Sequence, residues 1–118
     1  MPKVLVACTD VRYFDMLLVC FQAYPEFQLC LTPIEGFAVV KQAVEVQPAL
    51  IVLEVEPDST NLAVAEAFKL FIPQVPVFLI AKRTWEFERA ALSIGVDAVF
   101  DKDEDLGLVI ENARAALI

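Results

Sequence analysis

The chain has 118 residues, 9 basic against 17 acidic for a net charge of −8, and 58% of it is hydrophobic. That length suits one domain with a core of its own. So acidic a chain is a poor match for polyanions, whose phosphates need clustered Lys and Arg, and no nucleic-acid contact is expected. No apolar run reaches the roughly 18 residues of a membrane span, and Met1-Pro2-Lys3-Val4 leads straight into a strand-like segment without a signal-peptide layout. Three scattered cysteines (Cys8, Cys20, Cys30) and no histidine make neither a disulfide framework nor a zinc site. A reducing cytoplasm, without membrane contact, is the expected setting.

The first strand is predicted over Lys3–Cys8, followed by a helix over Val11–Ala23 that Pro25 prevents from continuing. A weaker strand over Phe27–Thr32 leads to a helix over Phe37–Val46, closed by Pro48. Ala49–Val55 and Val75–Ala81 are near-continuous apolar runs of strand length, as central parallel strands are, and Asn61–Phe71 is a helix between them. Thr84 is placed as an N-cap, with Glu86 and Glu88 in the favourable first turn of a helix over Trp85–Ile94. Its core stripe is Phe87, Ala90, Ala91 and Ile94, and Gly95 is placed to end it in a left-handed conformation. The last pair is a strand over Asp97–Phe100 and a helix over Asp105–Leu117. In that helix Leu106, Val109, Ile110, Ala113, Ala116 and Leu117 fall on one stripe. The second and fifth strands, less apolar than the others, belong near the sheet edges.

Strand–helix alternation with short connections argues for a parallel sheet with helices on both faces. In such sheets the working site lies at the carboxyl ends of the strands. The residues there are Cys8, Thr9 and Asp10; Glu54, Val55 and Glu56; Ala81 and Lys82; and Asp101 and Lys102.

Three stretches resemble the receiver domains of two-component response regulators. Pro48-Ala49-Leu50-Ile51-Val52-Leu53-Glu54 is similar to that family's third strand, Pro76-Val77-Phe78-Leu79-Ile80-Ala81 to its fourth, and Gly95-Val96-Asp97-Ala98-Val99-Phe100-Asp101-Lys102 to its fifth. Gly36 with Val39-Val40 matches the start of its second helix. The resemblance covers essentially the whole chain. It implies a flavodoxin-like (βα)5 three-layer sandwich with a five-stranded parallel sheet in the order 2-1-3-4-5. It also implies a pocket in which two acids after the first strand and an Asp ending the third hold magnesium, the Asp accepting a phosphoryl group as a carboxylate nucleophile. A Thr or Ser ending the fourth strand, a Lys ending the fifth and an aromatic on the fifth complete that pocket.

Most of this constellation is replaced. The acidic pair falls on Cys8 and Thr9, or on Thr9 and Asp10 if the first strand ends one residue later. The phosphoacceptor position is Glu54, the hydroxyl position Ala81, the switch aromatic Val99, and Lys102 alone is kept. Glu is one methylene longer than Asp, and a misplacement of about 1 Å can cost on the order of a hundredfold in rate. Phosphoryl transfer is expected to be absent or vestigial, and magnesium binding weak or absent. Glu54 and Lys102 either pair in place of metal and phosphate, or are a solvated carboxylate and a surface charge.

Cys8 at the site mouth has no histidine to activate it and no Arg six residues on, so a buried small hydrophobe is the simpler reading. Cys20 and Cys30 are expected in the core. Trp85, off the core stripe of its helix, is a candidate anchor for a partner on the face of the fourth and fifth helices, or else folds over its own helix start. The expected function is a non-enzymatic, receiver-like module over residues 1–118, complete or the N-terminal domain of a longer protein. It would act through a protein partner, an attached output domain or a homodimer. The alternatives are a phosphorylatable regulator using Asp10 or Glu56 for metal with Glu54 or Asp58 as acceptor, and a small enzyme using Cys8.

Overall fold

A computed structural model describes residues 2–24, 28–33, 36–82, 84–103 and 106–117, with 29–33 as backbone alone. Strands and helices alternate: β1 (Lys3–Cys8), α1 (Val11–Gln22), β2 (Gln28–Pro33), α2 (Ala38–Val46), β3 (Leu50–Glu54), α3 (Ser59–Phe71), β4 (Val77–Ala81), α4 (Trp85–Ser93), β5 (Ala98–Asp101) and α5 (Leu106–Ala116). The strands form one parallel sheet in the order β2-β1-β3-β4-β5.

The apolar runs explain the layering. Every residue of β3 and β4 is buried, so both faces of these strands are covered. On one face Leu5, Ala7, Ile51, Leu53 and Leu79 pack with Val39, Val40 and Ala43 of α2, Val64, Ala65 and Phe68 of α3, and Phe87 and Ala91 of α4. On the other, Val4, Val6, Leu50, Val52, Phe78 and Ile80 pack with Tyr13, Leu17 and Phe21 of α1 and Val109, Ile110 and Ala113 of α5. Each fully buried Val, Leu or Ile contributes about 1.5–3 kcal/mol of hydrophobic free energy, so these two faces dominate the stability of the sheet.

Local chemistry sets the ends of the helices. Thr84 caps α4 by accepting from Phe87 N at 3.2 Å, and Asp58 caps α3 by accepting from Asn61 N at 2.9 Å. The cap at Asp58 starts α3 at Ser59, two residues before the predicted Asn61. Gly95 takes φ +95° after α4, a conformation that needs glycine. Gln47 ends α2 at φ +55°, a left-handed position filled by a residue with a Cβ.

Other predicted edges move by one or two residues. Ala49 and Val55 fall outside β3, and Val75 lies in a turn before β4, its N–H bonded to Ile72 O at 3.0 Å. Asp97 precedes β5 because its side chain serves the sheet instead: its Oδ2 accepts from Val77 N at 2.7 Å and from Lys69 Nζ at 3.1 Å. Ala116, predicted on the core stripe of α5, is exposed, because α5 is buried through Val109, Ile110 and Ala113. Cys20 is half-buried rather than in the core. The side chain of Cys30, and Pro25, Phe27 and Asp105, lie outside the described residues. Among the described residues no helix is long and apolar enough to cross a membrane.

Candidate functional site

Parallel register brings the carboxyl ends of β1, β3 and β5 to one edge of the sheet. Cys8 pairs with Glu54 across β1 and β3, and Ala81 with Asp101 across β4 and β5. The next residues along the chain, Thr9 and Asp10 after β1 and Lys102 after β5, therefore converge on Glu54.

Glu54 is 0% exposed, at the end of a strand whose other residues are all apolar. A buried carboxylate is costly unless each oxygen is satisfied. Here both are. Oε1 accepts from Asp10 N at 2.9 Å, Thr9 N at 3.0 Å and Thr9 Oγ1 at 3.2 Å. Oε2 faces the ammonium of Lys102 at 3.1 Å. The same ammonium donates to Asp10 Oδ2 at 2.9 Å. Asp10 Oδ1 turns the other way and caps α1, accepting from Arg12 N at 2.9 Å and Tyr13 N at 3.5 Å. The Lys102 backbone is itself fixed, its N–H bonded to Ala81 O at 2.8 Å. The ring of Tyr13 closes the pocket from α1, with its centroid 5.6 Å from Lys102 Nζ.

The ionisations follow from this packing. Burial would lower the Lys102 ammonium, but its hydrogen bonds to Asp10 and Glu54 outweigh it and hold the group above the ordinary lysine range. The hydrogen bond from Lys102 holds the Asp10 carboxyl below its usual value. Burial, with the Glu54 charge beside it, pushes the Cys8 thiol up to about 12, which leaves almost no thiolate at neutral pH.

The two readings of Glu54 and Lys102 are thus resolved by geometry: neither is a solvated charge, and they form a pair. Ala81 is buried at the end of β4 and offers no hydroxyl. Val99 is half-buried against the α2–α4 core. Trp85 is 73% exposed at the first turn of α4. Glu56 and Asp58 lie in the exposed loop after β3, where Asp58 is engaged as the α3 cap. Sequence reasoning placed Asp10 in the pocket but missed its part in starting α1. The signal was present, since an Asp immediately before a helix-period run is an N-cap signature.

No protein-family model and no curated protein sequence matches this chain. Solved structures do. A DNA-binding response regulator of the LuxR family from Staphylococcus aureus superposes with a TM-score of 0.85 at 16% identity, over 98% of this chain and 98% of that one. The fold is that of response-regulator receivers. The BeF3-activated N-terminal receiver domain of Klebsiella pneumoniae RstA gives a TM-score of 0.81 at 14% identity over 98% and 97% of the two chains. A Burkholderia thailandensis protein named for pilus assembly, CpaE, gives 0.84 at 16% identity over 99% and 98%. At such identities the likeness establishes the receiver fold.

The magnesium that the receiver resemblance implies does not fit the donors of this pocket as they stand. Magnesium needs near-octahedral oxygen ligands. Of the two carboxylates that converge here, Glu54 Oε1 is taken by N–H and O–H donors and Asp10 Oδ1 by a helix start. The remaining two oxygens already share one ammonium. Among the described residues no group of three or more acids or cysteines is placed to hold a metal ion.

Proposed function

We propose that this chain is a degenerate receiver: a cytoplasmic signalling module that takes no phosphoryl group and works through contact with a protein partner or an attached output domain. One observation supports this above the others. The Lys102 ammonium already stands 3.1 Å from Glu54 and 2.9 Å from Asp10, so the pocket is filled by the chain's own cation. An incoming phosphoryl group would meet a carboxylate with both oxygens engaged, a lysine already paired, and Ala81 where a hydroxyl donor would be needed. The longer side chain of Glu54 adds to the misfit.

What is left for such a domain is recognition. Residues 1–118 act as one unit in this reading, and Trp85 at the start of α4 is the proposed anchor, on a face suited to a homodimer or to another protein. A phosphorylatable pocket built from Asp10 or Glu56 with Glu54 or Asp58 finds less support, since Asp10, Glu54 and Asp58 are committed to other bonds. A cysteine enzyme finds less still, because the Cys8 thiol is held protonated.

Acetyl phosphate with magnesium tests the reading. The intact mass of the wild-type chain is expected to stay unchanged. A gain of ~80 Da that disappears in Glu54→Gln or Asp58→Asn would overturn it.

A further inference from the structure

The amino edge of the sheet, opposite the pocket, carries an apolar surface that the pocket does not use. There α3 ends on Leu70 and Phe71, two consecutive large apolar side chains that are 71% and 70% exposed. Single exposed apolar residues are ordinary, but contiguous ones mark contact surfaces. Directly after them the chain borders a cavity of ≈ 500 Å³, walled by Val44, Pro48, Ala49, Ile72 and Val75, with Gln47 and Gln74 as its polar members. Backbone bonds fix these walls. Ile72 N–H closes α3 on Phe68 O at 2.9 Å, Val75 N–H returns to Ile72 O at 3.0 Å, and Ala49 N–H is tied to Lys3 O at 2.8 Å. A cavity held in this way loses little freedom when it is filled.

Charge and shape together indicate what fills it. None of the seven wall residues is charged, in a chain whose net charge is −8. The charges that border the cavity are of both signs: Lys3 behind Ala49, Lys69 with its Nζ 2.9 Å from Val75 O, Glu45 next to Val44, and Glu66 one turn before Leu70. Two copies of so acidic a chain repel over most of their surface, and they approach most easily where the local charge is balanced. A basic partner would be drawn to other faces. Phe71 and Ile72 are neighbours in sequence, so a projecting ring and a cavity lie side by side on one surface. A two-fold axis between them turns each ring toward the other copy's cavity, which is the self-complementarity that an isologous dimer needs.

We propose that this amino-edge surface joins two copies of the chain, with Phe71 of each seated in the cavity of the other and Leu70 and Val44 packed around it. The contact leaves the carboxyl edges free, so the pocket of Glu54 and the Trp85 end of α4 stay open on both copies. Two linked Trp85 surfaces would then engage a repeated partner with the gain of a second, intramolecular binding event. The inference goes beyond the proposed function and does not depend on it, since it holds whether or not the pocket takes a phosphoryl group.

Sedimentation equilibrium of the whole chain, from roughly 1 μM to 1 mM, tests it. Wild type is expected to approach twice its 13.1 kDa. Phe71→Asp is expected to weaken the dimer at least about a hundredfold, because the two-fold axis removes the anchor twice, and Phe71→Ala about tenfold or more. If the Asp variant does not fold, the Ala variant decides. Ala49→Arg blocks the cavity and is expected to be as weak as Phe71→Asp. An equimolar mixture of these two regains one ring in one cavity and sets Asp against Arg at the other. It is therefore expected to form a heterodimer more tightly than either variant forms a homodimer. Salt should strengthen the wild-type dimer by screening the repulsion between two chains of −8. A wild type that stays at 13.1 kDa throughout overturns the proposal. So does a dimer that Phe71→Asp and Ala49→Arg leave intact, which places the contact elsewhere, and so does a dimer that salt weakens, which marks a contact made by ion pairs.

Discussion

The two edges of the sheet each hold a lysine in nearly the same shelter, and they use it differently. Lys102 at the carboxyl edge and Lys69 at the amino edge are 15% and 14% exposed in their side chains. Lys69 donates to Val75 O at 2.9 Å and to Asp97 Oδ2 at 3.1 Å, and Asp97 is 42% exposed. Lys102 faces one partly exposed acid and one that is 0% exposed. The amino-edge pair is a staple between α3 and the turn before β5, with water at hand if it opens. The carboxyl-edge cluster contains a charge with no access to water, so its lysine is obligatory. The lesson is that the burial of the acid, not of the lysine, separates a replaceable surface pair from a site.

The comparison breaks most sharply at Lys102. Lys102→Ala leaves the buried Glu54 without its counter-charge, and removing one member of a buried pair costs about 3–5 kcal/mol. Urea unfolding monitored by Trp85 fluorescence is expected to show a loss of that size, and a loss below about 1 kcal/mol would erase the distinction between the edges. Asp97→Ala removes the acceptor of Val77 N–H and the partner of Lys69, with an expected cost of about 1–2 kcal/mol in the same assay. Asp10→Asn keeps a side chain that can cap α1 and discards only the ionic contact, so the loss is expected to be the smallest of the three.

Acid titration refines the last case. The Asp10 carboxyl is lower in the folded chain than in the unfolded one. Its contribution is therefore complete above the unfolded value of about 3.9 and disappears as pH falls through the folded value. Lys102 has the opposite sign. Its folded value is raised, so its contribution is complete below about 10.4 and disappears as pH rises through the folded value. Wild type should thus lose stability at both extremes. Asp10→Asn should flatten the acid limb, measured as the urea midpoint against pH, and an unchanged acid limb would show that the Asp10–Lys102 bond does not couple to folding.

Sequence alone determined the elements and the identity of the groups in the pocket. Apolar runs such as Leu50–Leu53 and Val77–Ile80 can only be strands covered on both sides, because no polar position is left to face water. The order of strands and helices, and the presence of Glu54 where an apolar strand ends, follow from the same local patterns. So does the scarcity of acids after β1. Tertiary structure decided what those groups do. Asp10 and Lys102 lie 92 positions apart, and no local periodicity says that their side chains meet at 2.9 Å. The amides of Thr9 and Asp10 are aimed at Glu54 only because parallel pairing sets Cys8 against Glu54. Asp97, predicted as the first residue of the fifth strand, lies before it for a similar reason: its partners, Lys69 and Val77, come from other elements. Local propensity is a property of neighbours along the chain. The fate of a buried charge depends on groups that the sheet brings together from three strand ends.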